Sequence, residues 1–184
     1  MNPGWIILGL IILAILWVVV TYNSLVALRN RVRNAWKQIS VQLKRRYDLI
    51  PNLVETVKDY MEYEEETLEK VIKARNAATS ATTPGEQARA EGAVTAALRQ
   101  LFAVVENYPQ LKANENVAQL MEELTSTENK IAFARQLYND LVMKYNTRIE
   151  QFPSNIVANW FGFKPFEFFD IPEEEKAVPK VDLR

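Results

Sequence analysis

The stretch "ENVAQLMEELTSTENKIAFARQLYNDLVMKYNTRIEQF", Glu115 to Phe152, decides the fold class. Val117, Met121, Leu124, Glu128, Ile131, Arg135, Tyr138, Val142, Tyr145, Ile149 and Phe152 follow one another at alternating steps of four and three. That spacing is the seam of a helix in a bundle or coiled coil. It predicts one long helix over about 115–151. All the seam positions are apolar except Glu128 and Arg135.

Working outward, "TSATTPGEQ" is the clearest punctuation upstream. Thr83 with Glu86 makes a capping box, and Pro84 suits the first helical position. The helix so started carries Ala90, Val94, Ala97, Leu101, Val104 and Tyr108 inward and ends at "NYPQLKANEN". Further upstream, Leu25, Leu28, Val32, Ala35, Trp36, Ile39 and Leu43 fall within an arc of about 100°, as a core-facing helix requires. Arg29, Arg33, Lys37 and Lys44 form a separate basic stripe, whereas Arg46 falls inside the apolar arc.

Pro51 removes the backbone bond to residue 47. Asp48 can cap a new helix there, so Pro51 marks either a tight corner or a kink. A helix over about 49–78 points Leu53, Val57, Met61, Leu68 and Val71 or Ile72 inward. Four amphipathic helices with short connections predict an all-α, antiparallel up-and-down four-helix bundle over residues 24–152.

Residues 1–23 read differently. "WIILGLIILAILWVVV", Trp5 to Val20, has no charge or strong polar group. With Thr21 and Tyr22 it reaches ~27 Å as helix, close to the hydrocarbon thickness of a bilayer. Trp5, Trp17 and Tyr22 lie near its ends, where amphipathic rings favour headgroups. Asn2 and Pro3 read as N-cap and first helical residue. A cleaved signal peptide is the competing reading. It is disfavoured because no basic segment precedes the run, no clean small-x-small site follows it, and amphipathic helix continues from it. The predicted element is a retained single-pass transmembrane helix. The first seven charged residues of the chain are all basic and follow the run. The positive-inside rule then predicts an outside N-terminus and a cytoplasmic bundle.

Residues 153–184 form an aromatic and acidic tail. Trp160, Phe161, Phe163, Phe166, Phe168 and Phe169 crowd into "WFGFKPFEFF", too aromatic for plain disorder. The tail packs on its own bundle, on a neighbouring subunit or at the membrane interface.

Composition excludes much chemistry. The 184-residue chain has no histidine and no cysteine. Imidazole or thiolate zinc sites, Ser-His-Asp and Cys-His nucleophiles, redox dithiols and Glu-x-x-His di-iron sites are therefore unavailable. Net charge is −1. Residues from 47 onward are acidic, so nucleic acid is not an expected partner. Glu64, Glu65 and Glu66 point in different directions on a helix and lack a calcium-loop glycine, so no metal site is predicted. No catalytic residue and no cofactor are expected.

Two charged features remain. The basic stripe Arg29, Arg33, Lys37 and Lys44 either faces anionic membrane lipid, because it begins within two turns of the bilayer, or is an ordinary solvated face. Glu128 and Arg135, with Arg46, either form a buried polar layer that fixes helix register or reach solvent at seam edges.

Several segments together carry a family resemblance: "YNSLVALRNRVRNAW", "VQLKRRYDLIPNLVETVK", "ETLEKV", "YPQLKAN", "ELTSTENKIAFAR", "YNDLV", "YNTRIEQFP" and "WFGF". The chain resembles the LemA family of bacterial membrane proteins almost end to end. The resemblance implies an N-terminal membrane segment and a bromodomain-like four-helix arrangement, and it implies no enzyme activity. Tyr63-Glu64 stands where members often carry His-Glu, and Asp59 where they often carry glycine. Both departures favour a scaffold over an active site. The expected function is a non-enzymatic, membrane-anchored scaffold acting through protein contacts as a homo-oligomer. The alternative is a tethered adaptor or sensor whose acidic surface binds a separate protein partner.

Overall fold

The computed structural model describes residues 3–170, whose regular structure is all helical, with no strand among them. The expected N-cap at Asn2 and the acidic end beyond Asp170 lie outside the described residues. In chain order the helices are α1 (Pro3–Lys58), α2 (Glu65–Ser80), α3 (Pro84–Val105), α4 (Pro109–Lys112), α5 (Glu115–Glu150) and α6 (Ser154–Trp160), with a 3-10 turn at Glu62–Glu64.

α1 joins what the sequence divides. Its 56 residues take in the apolar run, the basic stripe and Pro51 without interruption. The expected helix start at Asp48 is therefore corrected: Asp48 is mid-helix, and Pro51 makes no corner. A proline inside a helix frees the carbonyl four residues earlier. Here that carbonyl, on Tyr47, accepts a bond from Arg75 Nε at 3.2 Å. A side chain of α2 thus replaces the donor that Pro51 lacks, and the helix continues for seven more residues.

The real break comes later. Tyr60 N–H donates to Val57 O at 3.0 Å and Met61 N–H to Lys58 O at 3.2 Å, tightening the last turn. Met61 stays buried at this bend. α2 opens with Glu65 and Glu66, whose charges suit the positive end of a helix dipole.

α3 starts as its sequence specifies. Thr83 Oγ1 accepts from Glu86 N, the Glu86 carboxylate accepts from Thr83 N, and Pro84 follows the cap. α5 has its own cap. Asn114 Oδ1 accepts from Asn116 N at 3.0 Å and Val117 N at 3.3 Å. Along α5, Val117, Leu124, Ile131, Tyr138, Val142, Tyr145 and Ile149 are buried. Phe152, the last seam position expected inward, is instead exposed beyond the helix end.

The chain divides into two compact units. One comprises the chain up to Lys37 with Gln136–Phe166; the other comprises Gln38–Arg135 with the residues from Glu167 on. The first has a core of Leu25, Val32, Tyr138, Val142, Tyr145 and Val157. The second is centred on Ile50, Leu53, Val71, Val94, Leu101 and Leu124.

The tail opens with the helix α6. α6 ends in a Schellman turn: Phe163 N–H donates to Ala158 O at 2.9 Å and Gly162 N–H to Asn159 O at 3.3 Å. Gly162 has φ +67°, a conformation a side chain would strain, so the glycine is needed there.

Candidate functional site: a buried charge network and an aromatic clasp

The side chains with the most unusual environment lie in the second unit, where α1 meets α3. Arg46 is among the largest fully buried side chains. Its Nη1 donates to Glu91 Oε2 at 2.8 Å and its Nη2 to Thr95 Oγ1 at 3.0 Å. The other carboxylate oxygen of Glu91 accepts a short bond from Tyr47 OH. Gln87 Nε2 then donates to Tyr47 OH at 2.6 Å and to Ala78 O at 3.0 Å. The consecutive residues Arg46 and Tyr47 therefore grip the same carboxylate, one turn of α3 above Gln87.

Burial raises the Glu91 carboxyl above the usual carboxylate range, against the pull of Tyr47 and Arg46, and the nearby Glu128 charge pushes the same way. Burial and the adjacent Glu91 charge also push the Tyr47 phenol far above its ordinary value, so it stays a donor. Both Glu91 oxygens are occupied, one by Arg46 and the other by Tyr47. Its chemistry is to hold a charge in place and fix helix register.

The structure thus corrects the expected polar layer. Arg46 is buried, but its partner is Glu91, which the sequence reading passed over. Glu128 lies at the seam's edge, its side chain about one third exposed and 3.7 Å from Arg99. Arg135 is 38% exposed; its Nη2 donates to Asp170 Oδ1 at 2.5 Å, and its guanidinium lies over the Phe169 ring. The cost of desolvating a lone charge explains the difference. Each of these two reaches solvent and a rim partner, while the buried Arg46 is held by Glu91 and Thr95. The α3 stripe also turns slightly from expectation, with Ala88, Glu91, Leu98 and Val105 inward beside Val94 and Leu101.

In the first unit aromatic contacts take the place of charges. Tyr22 packs against Phe161 at 4.6 Å between ring centroids and against Phe163 at 5.7 Å. Arg29, from the expected lipid-facing stripe, lies over the Phe163 ring, whereas Arg33, Lys37 and Lys44 are exposed. Asn146 bonds Phe166 twice, Nδ2 to the carbonyl and Oδ1 to the N–H, both at 2.9 Å. Phe166 also meets the Tyr145 ring edge-on. Of the six tail aromatics, Phe163 and Phe169 are buried, Phe166 is half-buried, and Trp160, Phe161 and Phe168 remain exposed. The intended anchor rings Trp5 and Trp17 are exposed on α1.

Two surface features complete the inventory. An open groove of about 900 Å³ runs along Gln38, Val41, Gln42, Asn129 and Lys130, with Phe133 exposed in it. The side chains of the N-terminal apolar run are almost wholly uncovered by protein, on a helix long and apolar enough to cross a membrane. Among the described residues, no cluster of acidic side chains could hold a metal ion.

The chain matches the LemA family over residues 35–183. It is 28% identical over 167 residues to "Protein LemA" of Metamycoplasma hominis, covering 88% of this chain and 75% of that protein. The similarity extends to "Magnetosome protein MamQ" of Magnetospirillum gryphiswaldense, 23% identical over 91% of this chain and 73% of that one. A shorter match, to "Magnetosome protein MamQ 2" of Paramagnetospirillum magneticum, is 38% identical over 44% of this chain and 29% of that protein. The family match spans α3, α5, the buried network and the tail, and on it the chain belongs to the LemA family.

Proposed function

We propose that this protein is a membrane-anchored, non-enzymatic helical scaffold that acts through protein contacts as a homo-oligomer. The observation that carries the reading is α1 itself. One uninterrupted helix bears the membrane-length apolar run and, farther along, the arginine and tyrosine that grip Glu91. A mobile tether would need a flexible linker after the anchor, and α1 has none.

The folded part is an antiparallel up-and-down four-helix bundle in this proposal. The three residues between Ser80 and Pro84 support it, because so short a connection favours antiparallel neighbours. The membrane is the bacterial inner membrane, with the N-terminus outside and the bundle in the cytoplasm, on the strength of Arg29, Arg31, Arg33 and Lys37 following the span. Confinement of every copy to one plane and one orientation raises effective concentration without any new contact. The exposed Val41 and Phe133 supply an apolar surface for a symmetric contact.

Mass measurement of full-length protein in native-lipid particles tests this reading. A uniform assembly larger than one chain is expected, and Val41→Asp with Phe133→Asp should reduce its mass while leaving the helical circular dichroism unchanged. A monomer in the parent protein would favour the adaptor alternative, whose partner meets the acidic second unit.

A further inference from the structure

The first unit carries an apolar face that its own core does not use. On α6 the buried side chains are Ser154, Val157 and Ala158. The opposite side bears Ile156, 41% exposed, and Trp160, 74% exposed. Phe152 before the helix and Phe161 after it are exposed as well. A short helix turned apolar side outward is costly in water.

Its position says what covers it. Phe161 touches Tyr22, which stands two residues beyond Val20, the end of the unbroken apolar run. Two residues of helix are ~3 Å. The headgroup layer on each side of a bilayer is about 5–8 Å deep, so a ring held against Tyr22 lies within it when the run spans the membrane. Tryptophan and phenylalanine are the side chains expected at that depth. Charge agrees. Residues 21–37 and 136–166 hold seven basic and two acidic side chains, a balance that favours anionic headgroups.

We propose that α6 with its flanking aromatics is a second membrane contact, an interfacial element whose Phe152, Ile156, Trp160 and Phe161 enter the headgroup and upper acyl layer of an anionic lipid surface. The proposal rests on the span reading of α1. Tyr22 is then the hinge between the transverse and the interfacial element. The Schellman turn at Gly162 separates the face that enters lipid from Phe163, which turns back into the core.

The chain has no cysteine, so single nitroxide labels can be placed on full-length protein without background. The label goes at Asn159→Cys, an exposed position beside Trp160, with Ile11→Cys inside the span and Thr82→Cys in the α2–α3 connection as references. The protein is reconstituted in vesicles of phosphatidylcholine and phosphatidylglycerol. At position 159 relaxation by a water-soluble nickel chelate should be several-fold weaker than at 82, and relaxation by oxygen stronger. Replacing Ile156 and Trp160 by Ser should return the label at 159 to the behaviour of 82. If 159 matches 82 while 11 is lipid-shielded, the interfacial proposal fails and the anchor stands. A water-exposed 11 sinks the anchor and this proposal together. Shielding of 159 from both relaxants, with spin–spin broadening lost on dilution by unlabelled protein, would assign the face to a second copy and overturn the proposal.

Discussion

The two units solve the same problem, fixing neighbouring helices, with opposite chemistry. In Gln38–Arg135 the specific contacts are ionic and buried: Arg46, Glu91, Tyr47, Gln87 and Thr95 form one chain of bonds. In the unit that includes Gln136–Phe166 they are ring contacts: Tyr22 with Phe161 and Phe163, Trp36 with Tyr138, and Tyr145 with Phe166. A buried ion pair is intolerant of partial removal, because the remaining charge has no water to turn to. A ring contact loses area in proportion to what is cut away, and neighbours relax into the space. The ionic unit should therefore be brittle and the aromatic unit graded.

The largest effect should come from Glu91→Ala, which strands Arg46 and Tyr47. A loss of about 3–5 kcal/mol is expected in denaturant unfolding. A loss below that of an ordinary surface substitution would show that Arg46 finds solvent and that the unit is not brittle. Next is Phe163→Ala, where removal of a buried ring beside Tyr22 and Arg29 should cost about 3 kcal/mol. Phe163→Leu should recover much of that, since a graded contact tolerates a smaller apolar filler. If Leu is as damaging as Ala, the contact depends on the ring itself.

Thr83→Ala should cost about 1 kcal/mol through loss of the α3 cap. Glu128→Ala should change stability by less than about 1 kcal/mol, because its pair with Arg99 is at the rim. A large loss at Glu128 would restore the polar layer expected from sequence.

Two carboxylates sharpen the contrast by the sign of their pH dependence. Bonds from the Thr82 N–H and hydroxyl and from Thr83 N–H hold the exposed Glu86 carboxyl below its ordinary value. The unfolded state then binds protons first as pH falls, so the Glu86 contribution is present above the ordinary carboxylate range and lost below it. Glu91 is raised by burial, so the folded state binds the proton more tightly. Its contribution is greatest at low pH and declines as pH rises past the ordinary carboxylate range through the raised value. Relative to Glu86→Gln, the parent should gain stability with rising pH; relative to Glu91→Gln it should lose it. Parallel trends in urea midpoints across pH would show that one of the two environments is misassigned.

What could be read from the sequence follows the same division. α5 was legible because bulky apolar residues mark its seam for most of its length, and Ala is rarely the deciding side chain. α3 was harder: Ala88, Ala90, Ala93, Ala96 and Ala97 lie around the helix, so the apolar period has no sharp phase. Glu91 was missed for that reason, since nothing local marks a glutamate as buried. The partners that make it so, Arg46 and Tyr47, are more than forty residues away. Of the two readings of Pro51, corner or kink, only the corner fails, and the reason is equally non-local: the donor that replaces the lost bond comes from Arg75. The bend after Lys58 has neither glycine nor proline to announce it. The capping box was complete in "TPGE" and formed as written, whereas α6 spans seven residues, too few to show a period.

The Tyr22–Phe161 contact joins residues about 140 positions apart, which bears on the order of events during synthesis. At about 5–20 residues per second, Phe161 follows Tyr22 by about 7 to 28 s. Throughout that interval the nascent chain must keep the Tyr22–Lys37 turns of α1 without their final neighbours. A ribosome stalled before residue 136 holds the whole Gln38–Arg135 segment of one unit, while the other has its α1 turns without the Gln136–Phe166 segment. Release from such a stall should leave Leu25 and Val32 open to protease or chaperone until Tyr138 and Val157 emerge.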